Sequence, residues 1–305
     1  MRRVLVTGGS GQLATALVAA ARGRSLDLRR VGRPEFDFDR PDSVTAAFAA
    51  AAPWMVINAA AYTAVDAAEA DAEAARRANR DGPALLARLC AAAGAQFVHV
   101  STDYVFDGLK GAPYVETDPT SPTGVYGATK LEGEQAVLAA LPGALVLRTS
   151  WVYAASGRNF VLTILNAARK TDRLRVVADQ RGCPTTAADL AAAILAIAER
   201  VATGQAAPGG IYHAAGRGWT TWHGLACATF IEASRHGAPV PAVDAITTAD
   251  WPTPARRPPD SRLDCGKLAR TFGLRLPDWR QSLGRTVDAI FSARQSASAS
   301  TIRVS

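Results

Sequence analysis

Residues 4–14 read Val-Leu-Val-Thr-Gly-Gly-Ser-Gly-Gln-Leu-Ala, and this stretch decides the fold. Its first four residues form the short apolar run that is typical of a buried parallel strand, and an Ala- and Leu-rich helical segment follows. Gly8 permits a tight turn, Gly11 lets the backbone approach a diphosphate, and Ala14 allows close helix–strand packing. The helix N-terminus offers free N–H groups to phosphates. The stretch predicts dinucleotide binding; the alternative is an ordinary glycine-rich turn.

The composition is that of a soluble globular protein. The chain has 305 residues, of which 49% are hydrophobic and 20% are charged. The N-terminal apolar run ends at Thr7, so we expect no export signal and no membrane association. Four widely spaced cysteines suit a cytoplasmic protein, and the four histidines show no metal-ligand spacing. A net charge of +7 without a block of basic residues favours small anionic ligands over nucleic acid.

The second predicted strand, residues 28–31, ends at Gly32 and Arg33. An acidic residue near this position selects NAD through its ribose hydroxyls, whereas an arginine accommodates the 2′-phosphate of NADP. Arg33 therefore favours NADPH, with NADH as the alternative and a solvated surface arginine as the other interpretation. Asp37 and Phe38 follow at positions that can flank an adenine.

Three further strands are predicted at residues 54–57, 96–100 and 144–149. The small residues 59–61 leave room for a flat cofactor after the first of these strands, although an alanine-rich helix start explains them equally well. Hydroxyls and a carboxylate at residues 101–104 follow the strand at 96–100, at the sheet edge where open α/β folds bind ligands. Serine and threonine at a strand end are otherwise common turn formers.

Tyr126 and Lys130 are one turn apart on a predicted helix and therefore share a face. An ammonium near a phenol favours the phenolate and lowers the phenol pKa, which makes a proton donor usable near neutral pH. Such a pair is common on helix surfaces. Together with Thr102 as a carbonyl ligand and a nicotinamide cofactor as hydride source, however, it predicts carbonyl reduction.

These motifs resemble the extended short-chain dehydrogenases/reductases. Longer strings narrow the resemblance to the dTDP-4-dehydrorhamnose reductase family; they are Asn58–Asp66, Ser101–Gly108, Arg148–Tyr153, Asp179–Thr185 and Arg257–Arg262. The resemblance runs from about residue 3 to Leu283. It implies reduction of the C4 ketone of dTDP-4-dehydro-L-rhamnose by NAD(P)H.

The resemblance also implies roles for individual residues. Tyr126 is expected to be the general acid, Lys130 its partner and Thr102 the ligand of the carbonyl oxygen. The expected cofactor site comprises Gly8, Ser10, Gly11, Gln12, Leu13, Arg33, Asp37, Phe38, Ala59, Ala60, Ala61, Tyr62, Thr63, Tyr126 and Lys130. The expected substrate site comprises Val65, Thr102, Asp103, Tyr104, Trp151 and Arg257. A core aromatic is the alternative for Trp151. Arg257, with Arg256, is a candidate for the substrate diphosphate because guanidinium groups suit that group, and a solvated surface pair is the alternative.

The predicted fold class is α/β: a Rossmann-type doubly wound parallel sheet with a smaller C-terminal substrate-binding domain. Residues 1–150 are expected to form the NAD(P)-binding domain, and residues 151–291 to form mainly the substrate-binding domain. Late sheet elements are expected to return from about residues 174–180 and 211–235. The serine-rich residues 292–305 have few apolar anchors and are predicted to be disordered.

Partners and alternative functions complete the expectations. Part of the family is described as using Mg²⁺ at a dimer contact built from glutamates. This sequence has Thr15 in the first helix without an acidic cluster nearby, so Mg²⁺ is left open and a monomer or weak homodimer is expected. The alternatives to the implied activity are a 4-ketoreductase for another dTDP-deoxysugar and a non-catalytic NADP-binding regulatory subunit.

Overall fold

The structure is a computed structural model that describes the backbone of residues 2–302 and the side chains of residues 2–295. Its strands are β1 (Arg2–Thr7), β2 (Leu26–Val31), β3 (Met55–Asn58), β4 (Gln96–Thr102), β5 (Leu145–Thr149), β6 (Val152–Tyr153), β7 (Arg173–Val177), β8 (Arg181–Gly182), β9 (Thr185–Thr186), β10 (Gly210–His213), β11 (Thr220–Thr221) and β12 (Ala242–Ile246). Its helices are α1 (Gln12–Ala20), α2 (Pro41–Ala51), α3 (Val65–Ala70), α4 (Ala72–Arg76), α5 (Gly82–Ala93), α6 (Val125–Ala140), α7 (Phe160–Ala167), α8 (Ala187–Ala202), α9 (Trp222–Ser234), α10 (Gly266–Phe272) and α11 (Trp279–Ile302). A π-helical turn spans Arg77–Asp81, and 3-10 turns span Asp103–Val105 and Thr248–Asp250.

Six strands form the central sheet in the order β2-β1-β3-β4-β5-β10, and every neighbouring pair is parallel. The chain leaves β1 toward β2 on one side and returns to β3 on the other. This reversal creates a crevice at the carboxyl ends of β1 and β3, where open α/β sheets bind ligands. The predicted Rossmann-type doubly wound sheet is confirmed.

Alternating side chains of the strands bury both faces of the sheet. Val4 and Val6 of β1 pack into an apolar cluster with residues of α1 and α8, whereas Leu5 packs with Val56 and Phe97 against α2 and α5. All three β1 side chains are fully buried. This two-sided burial is the reason why the strands read as continuous apolar runs rather than as alternating ones.

The C-terminal half has an apolar cluster of its own, built from α7, α9, α11 and the pair of β7 with β12. Its largest fully buried side chain is that of Trp279. Two elements of this half pack on the first half instead: β10 extends the main sheet, and α8 covers one of its faces. The division near residue 150 stays a prediction.

The predicted return of residues 174–180 to the main sheet is wrong. The strand β7 pairs in parallel with β12, and together they form a separate two-stranded sheet. Arg173 and Arg175 of β7 are exposed, and a strand with two exposed arginines does not suit the interior of a parallel sheet that is covered on both faces. Of residues 211–235, only the first few lie in the main sheet, while the rest form β11 and α9.

The helix α11 extends into the serine-rich segment, and residues 292–295 continue it without a break. The predicted disorder of the residues that follow stays a prediction. This segment contains neither glycine nor proline, and its alanine, glutamine and arginine residues favour a helix. Residues 303–305 lie outside the described part. Within the described residues, no helix combines the length and apolarity that a membrane crossing requires.

Candidate active site

A cavity of about 750 Å³ opens at the carboxyl ends of β1, β3, β4 and β5. This volume falls in the range of small-molecule and cofactor sites. The predicted site residues that line it are Gly8, Ser10, Gly11, Gln12, Leu13, Arg33, Asp37, Phe38, Ala59, Ala60, Ala61, Thr63, Thr102, Asp103, Tyr126, Lys130 and Trp151. The structure therefore brings residues from six separate segments of the chain to one crevice.

The glycine turn at one end of the cavity fits a diphosphate. Gly8 has a φ of +110°, and a Cβ on it would lie 2.9 Å from the carbonyl oxygen of Ala59. Only glycine therefore suits this position. The helix α1 begins at Gln12 without a side-chain cap and without an acidic residue in its first turn. Its first N–H groups and its positive dipole end face the cavity and can receive a phosphate.

Two arginines and an aspartate stand near the end of β2. The side chain of Arg33 is 77% exposed, and its Nε lies 3.9 Å from Asp37 Oδ1. Arg40 Nε lies 3.7 Å from the other oxygen of the same carboxylate. Because such exposed ion pairs contribute little energy, Arg33 is free to turn toward an anionic group.

Thr102, Asp103 and Tyr126 form a hydrogen-bonded group on the cavity wall. The Thr102 hydroxyl donates to Asp103 Oδ1 at 3.1 Å. Burial raises the pKa of Tyr126 to about 12, partly offset by a hydrogen bond with Thr102. Burial also raises the pKa of Asp103 to about 6, against the lowering effect of hydroxyl donors from Ser261, Ser150 and Thr102. Tyr126 thus keeps its proton at neutral pH.

Lys130 is fully buried beneath the same wall. Its Nζ donates to the carbonyl oxygen of Val100 at 2.6 Å and lies 3.4 Å from Nε2 of His99. Burial lowers the pKa of Lys130 to about 8, while the charge of Glu134 acts in the opposite direction. The sequence predicted that this lysine would lower the phenol pKa of Tyr126. The net shift is in the opposite direction, because the desolvation of the phenol dominates its pKa.

Trp151 forms another part of the wall and is held on two sides. Its ring stacks on Trp222 with centroids 3.6 Å apart, and Trp222 Nε1 donates to Gln180 at 3.1 Å. A Cβ on Gly182 would collide with the Trp151 ring at 2.3 Å. Trp151 therefore packs on an aromatic neighbour and also lines the cavity, and its contact with the substrate stays a prediction.

Four predicted site residues do not line the cavity. The Tyr62 N–H donates to buried Asn79, Val65 begins α3, and the Tyr104 ring packs edge-on against Tyr126 at 5.8 Å. Arg257 forms a two-pronged ion pair with Asp66 at 2.8 and 3.1 Å. A substrate diphosphate would have to compete with this pair for the guanidinium.

Sequence reasoning missed several residues of the cavity wall. Thr149 lies beside Thr102 in the strand register, and its buried hydroxyl is without a hydrogen-bond partner in the described part of the structure. Gly157 and Arg158 also line the cavity, and Asn159 donates to Gln12 of the glycine turn at 2.9 Å. A threonine at the end of a buried strand could have been singled out by its position, whereas the loop at 157–159 carries no pattern.

The described residues contain no group of three or more histidine, cysteine or acidic side chains that could hold a metal ion.

The parallel sheet, its glycine turn and the polar strand ends define a class: this is a Rossmann-fold reductase of the short-chain dehydrogenase/reductase type. A family model described as the RmlD substrate binding domain matches residues 1–291. A dTDP-4-dehydrorhamnose reductase from Sinorhizobium fredii is 46% identical over 289 residues, covering 94% of this chain and 97% of the relative. The chain belongs to the dTDP-4-dehydrorhamnose reductase family.

Two further comparisons bear on cofactor and substrate. The crystal structure of dTDP-4-dehydrorhamnose reductase from Bacillus anthracis in complex with NADP superimposes with a TM-score of 0.86 at 32% identity, covering 94% of this chain and 99% of that one. A probable dTDP-4,6-dihydroxy-2-methyloxan-3-one 4-ketoreductase from Streptomyces antibioticus is 42% identical over 294 residues, covering 95% of this chain and 96% of the relative.

Proposed function

We propose that this chain reduces the C4 ketone of dTDP-4-dehydro-L-rhamnose to give dTDP-L-rhamnose, with NADPH preferred over NADH. One observation carries the proposal: Thr102, Tyr126 and Lys130 meet on the wall of the cavity that the glycine turn closes. A bound nicotinamide cofactor would supply the hydride. The family membership supports the substrate class, and the NADP in the Bacillus anthracis structure supports the cofactor.

Each of the three side chains has its own role in the proposed reaction. The Thr102 hydroxyl turns from Asp103 to bind the carbonyl oxygen, and Tyr126 gives its proton to that oxygen as negative charge develops. The high pKa of Tyr126 suits this role, because the phenol is protonated at neutral pH and the alkoxide is the stronger base. Lys130 Nζ donates to Val100 and lies against His99 Nε2, and its remaining hydrogen-bonding position is available to a hydroxyl of the cofactor ribose.

Other residues of the cavity bind and orient the cofactor and the substrate. The N–H groups at the start of α1 hold the diphosphate, and Arg33 accommodates the 2′-phosphate. The Trp151 ring, fixed by its stack on Trp222, forms a flat wall for the sugar. The buried Asp103 carboxylate accepts hydrogen bonds from hydroxyl groups, so a sugar hydroxyl is a suitable donor to it.

A second candidate is a 4-ketoreductase that acts on another dTDP-deoxysugar, and the similarity to the Streptomyces antibioticus ketoreductase favours it. The non-catalytic regulatory subunit is the remaining alternative. A binding module does not need Thr102, Tyr126 and Lys130 together in one cavity wall, so this arrangement argues against it.

The loss of NADPH absorbance in the presence of dTDP-4-dehydrorhamnose, generated in situ, tests the proposal. We expect substrate-dependent oxidation of NADPH, and NMR of the product should show dTDP-L-rhamnose. Absence of turnover by folded protein that binds NADPH would refute the enzymatic function. Turnover of a different dTDP-ketosugar, with none of this one, would establish the second candidate.

A further inference from the structure

A chain of buried polar side chains crosses the sheet beneath the cavity and ends at Lys130. Thr7 on β1, Asn58 on β3 and His99 on β4 are all fully buried. Thr7 Oγ1 lies 2.5 Å from Asn58 Oδ1, and Asn58 Nδ2 lies 2.9 Å from His99 Nδ1. His99 Nε2 in turn faces Lys130 Nζ at 3.4 Å. The proposed reaction uses only the lysine at the end of this chain.

The neighbours of Asn58 fix the orientation of its amide. Its Oδ1 accepts the Thr7 hydroxyl and also the N–H of Ala60 at 3.2 Å. Turning the amide over would set its NH₂ group against that N–H donor, and 2.5 Å is too short for an N–H···O bond. The NH₂ group of Asn58 therefore faces His99 and donates to Nδ1.

The bond from Asn58 determines which nitrogen of His99 carries the hydrogen. Because Nδ1 accepts, it is unprotonated, and a neutral ring then has its hydrogen on Nε2. Burial keeps the ring neutral by holding the pKa of His99 well below its usual value, and the charge of Lys130 acts in the same direction. The Nε2–H group consequently points at Lys130 Nζ. An ammonium has no lone pair to accept it, whereas a free amine has one.

We infer that His99 is a positioning residue, which presents an N–H group to Lys130 and so makes the ammonium of Lys130 easier to deprotonate. The other charged groups near Lys130 do not reverse this effect. Glu134, one turn along α6, favours the ammonium but is paired with buried Arg148 of β5. Asp103, on the cavity wall, is held by hydroxyl donors and acts on Tyr126.

The consequence for the reaction rests on the proposed function, whereas the bond directions do not. A lysine whose ammonium is destabilised in this way can release and take up a proton within the working pH range. A permanently charged lysine would act only as a fixed cation. The hydrogen bonds from Thr7 through Asn58 to His99 would then link β1, the strand that leads into the glycine turn, to the protonation of Lys130.

The ring nitrogens of His99 can be observed directly by NMR of ligand-free protein labelled with ¹⁵N-histidine. The variant His99→Leu identifies the His99 signals by their loss. We expect a protonated Nε2 and an unprotonated Nδ1 around neutral pH. A protonated Nδ1 would overturn the inference. No substrate is involved, so this outcome is independent of whether the protein reduces dTDP-4-dehydrorhamnose.

The variant Asn58→Asp reverses the polarity of the chain while keeping its shape. An aspartate still accepts from Thr7 and Ala60, but it also accepts from His99 Nδ1, which leaves Nε2 as an acceptor for an ammonium. We expect the hydrogen to move to Nδ1 and the basic limb of the kcat/KM profile to move upward by about one pH unit or more.

The added charge alone also favours the ammonium, and the double variant Asn58→Asp/His99→Leu controls for it. A smaller upward shift in the double variant than in Asn58→Asp supports the role of the histidine. An equal shift in the two variants would show that His99 does not act on Lys130.

Discussion

Replacing Glu134 by glutamine should destabilise the protein far more than the same change at an exposed ion pair. The Glu134 and Arg148 side chains are only 1% and 2% exposed. Arg148 donates to both oxygens of the carboxylate, at 2.9 and 2.6 Å, and the Ser101 hydroxyl donates to one of them at 2.5 Å. The buried guanidinium therefore depends on this carboxylate for its counter-charge.

Glutamine keeps the shape of the side chain but loses the charge. Its NH₂ group would also face either the guanidinium or the Ser101 hydroxyl, both of which donate in the present arrangement. Leaving a buried charge uncompensated costs about 3–5 kcal/mol. Glu199, paired with Arg24 at 2.7 Å and 34% exposed, provides the matched control. There the same substitution should cost about 0–1 kcal/mol.

Urea denaturation followed by circular dichroism compares the two variants with the parent protein. We expect Glu134→Gln to lower the free energy of unfolding by at least about 2 kcal/mol more than Glu199→Gln does. Equal effects of the two substitutions would refute the reasoning. Such a result would mean that water or a rearranged neighbour compensates Arg148 in place of the carboxylate.

Three further predictions follow from single residues. Arg33→Ala should weaken NADPH binding about tenfold, because a charged hydrogen bond contributes about 1.5–3 kcal/mol. NADH binding, measured by the same fluorescence titration, should be unchanged. Equal losses for both cofactors would contradict the role of Arg33 at the 2′-phosphate. Folding raises the pKa of Asp103 from 3.8 to about 6, so the folded state binds its proton more tightly and loses relative stability as the pH rises between these values. Relative to Asp103→Asn, the parent protein should lose about 3 kcal/mol of unfolding free energy over this interval, and a parallel pH dependence of the two proteins would refute the assignment. Gly133→Ala should lower the free energy of unfolding by about 1–3 kcal/mol in urea denaturation, because a Cβ there would lie 1.9 Å from the Asn79 carbonyl oxygen. Gly143→Ala, with open space around the added Cβ, should be neutral. Equal costs of the two substitutions would argue against the close approach at Gly133.

Local patterns were sufficient for the sheet and for most of the cavity. Each of the deciding features can be recognised from a few neighbouring residues: the apolar run at Val4–Thr7, the glycine turn after it and the hydroxyls after β4. The strand β7 was misplaced because its partner, β12, lies about seventy residues away and the pairing depends on tertiary packing. The ion pair of Arg257 could not be foreseen for a similar reason, since its partner Asp66 belongs to α3.

Protonation states were the least accessible from the sequence. The spacing of Tyr126 and Lys130 correctly suggested a shared face, but it contains no information about desolvation. Burial dominates the pKa of both groups. His99 was considered at the sequence level only as a metal ligand, because its contact with Lys130 depends on the register of β4 against α6.

The variant Tyr126→Phe tests the central claim most directly. It removes one hydroxyl from the cavity wall and leaves the glycine turn, Arg33 and Lys130 in place. With dTDP-4-dehydrorhamnose as substrate, we expect kcat/KM to fall by about 10²–10⁴-fold, the contribution of a general acid, while NADPH binding is retained. Turnover at the parental rate would contradict the assignment of Tyr126 as the proton donor.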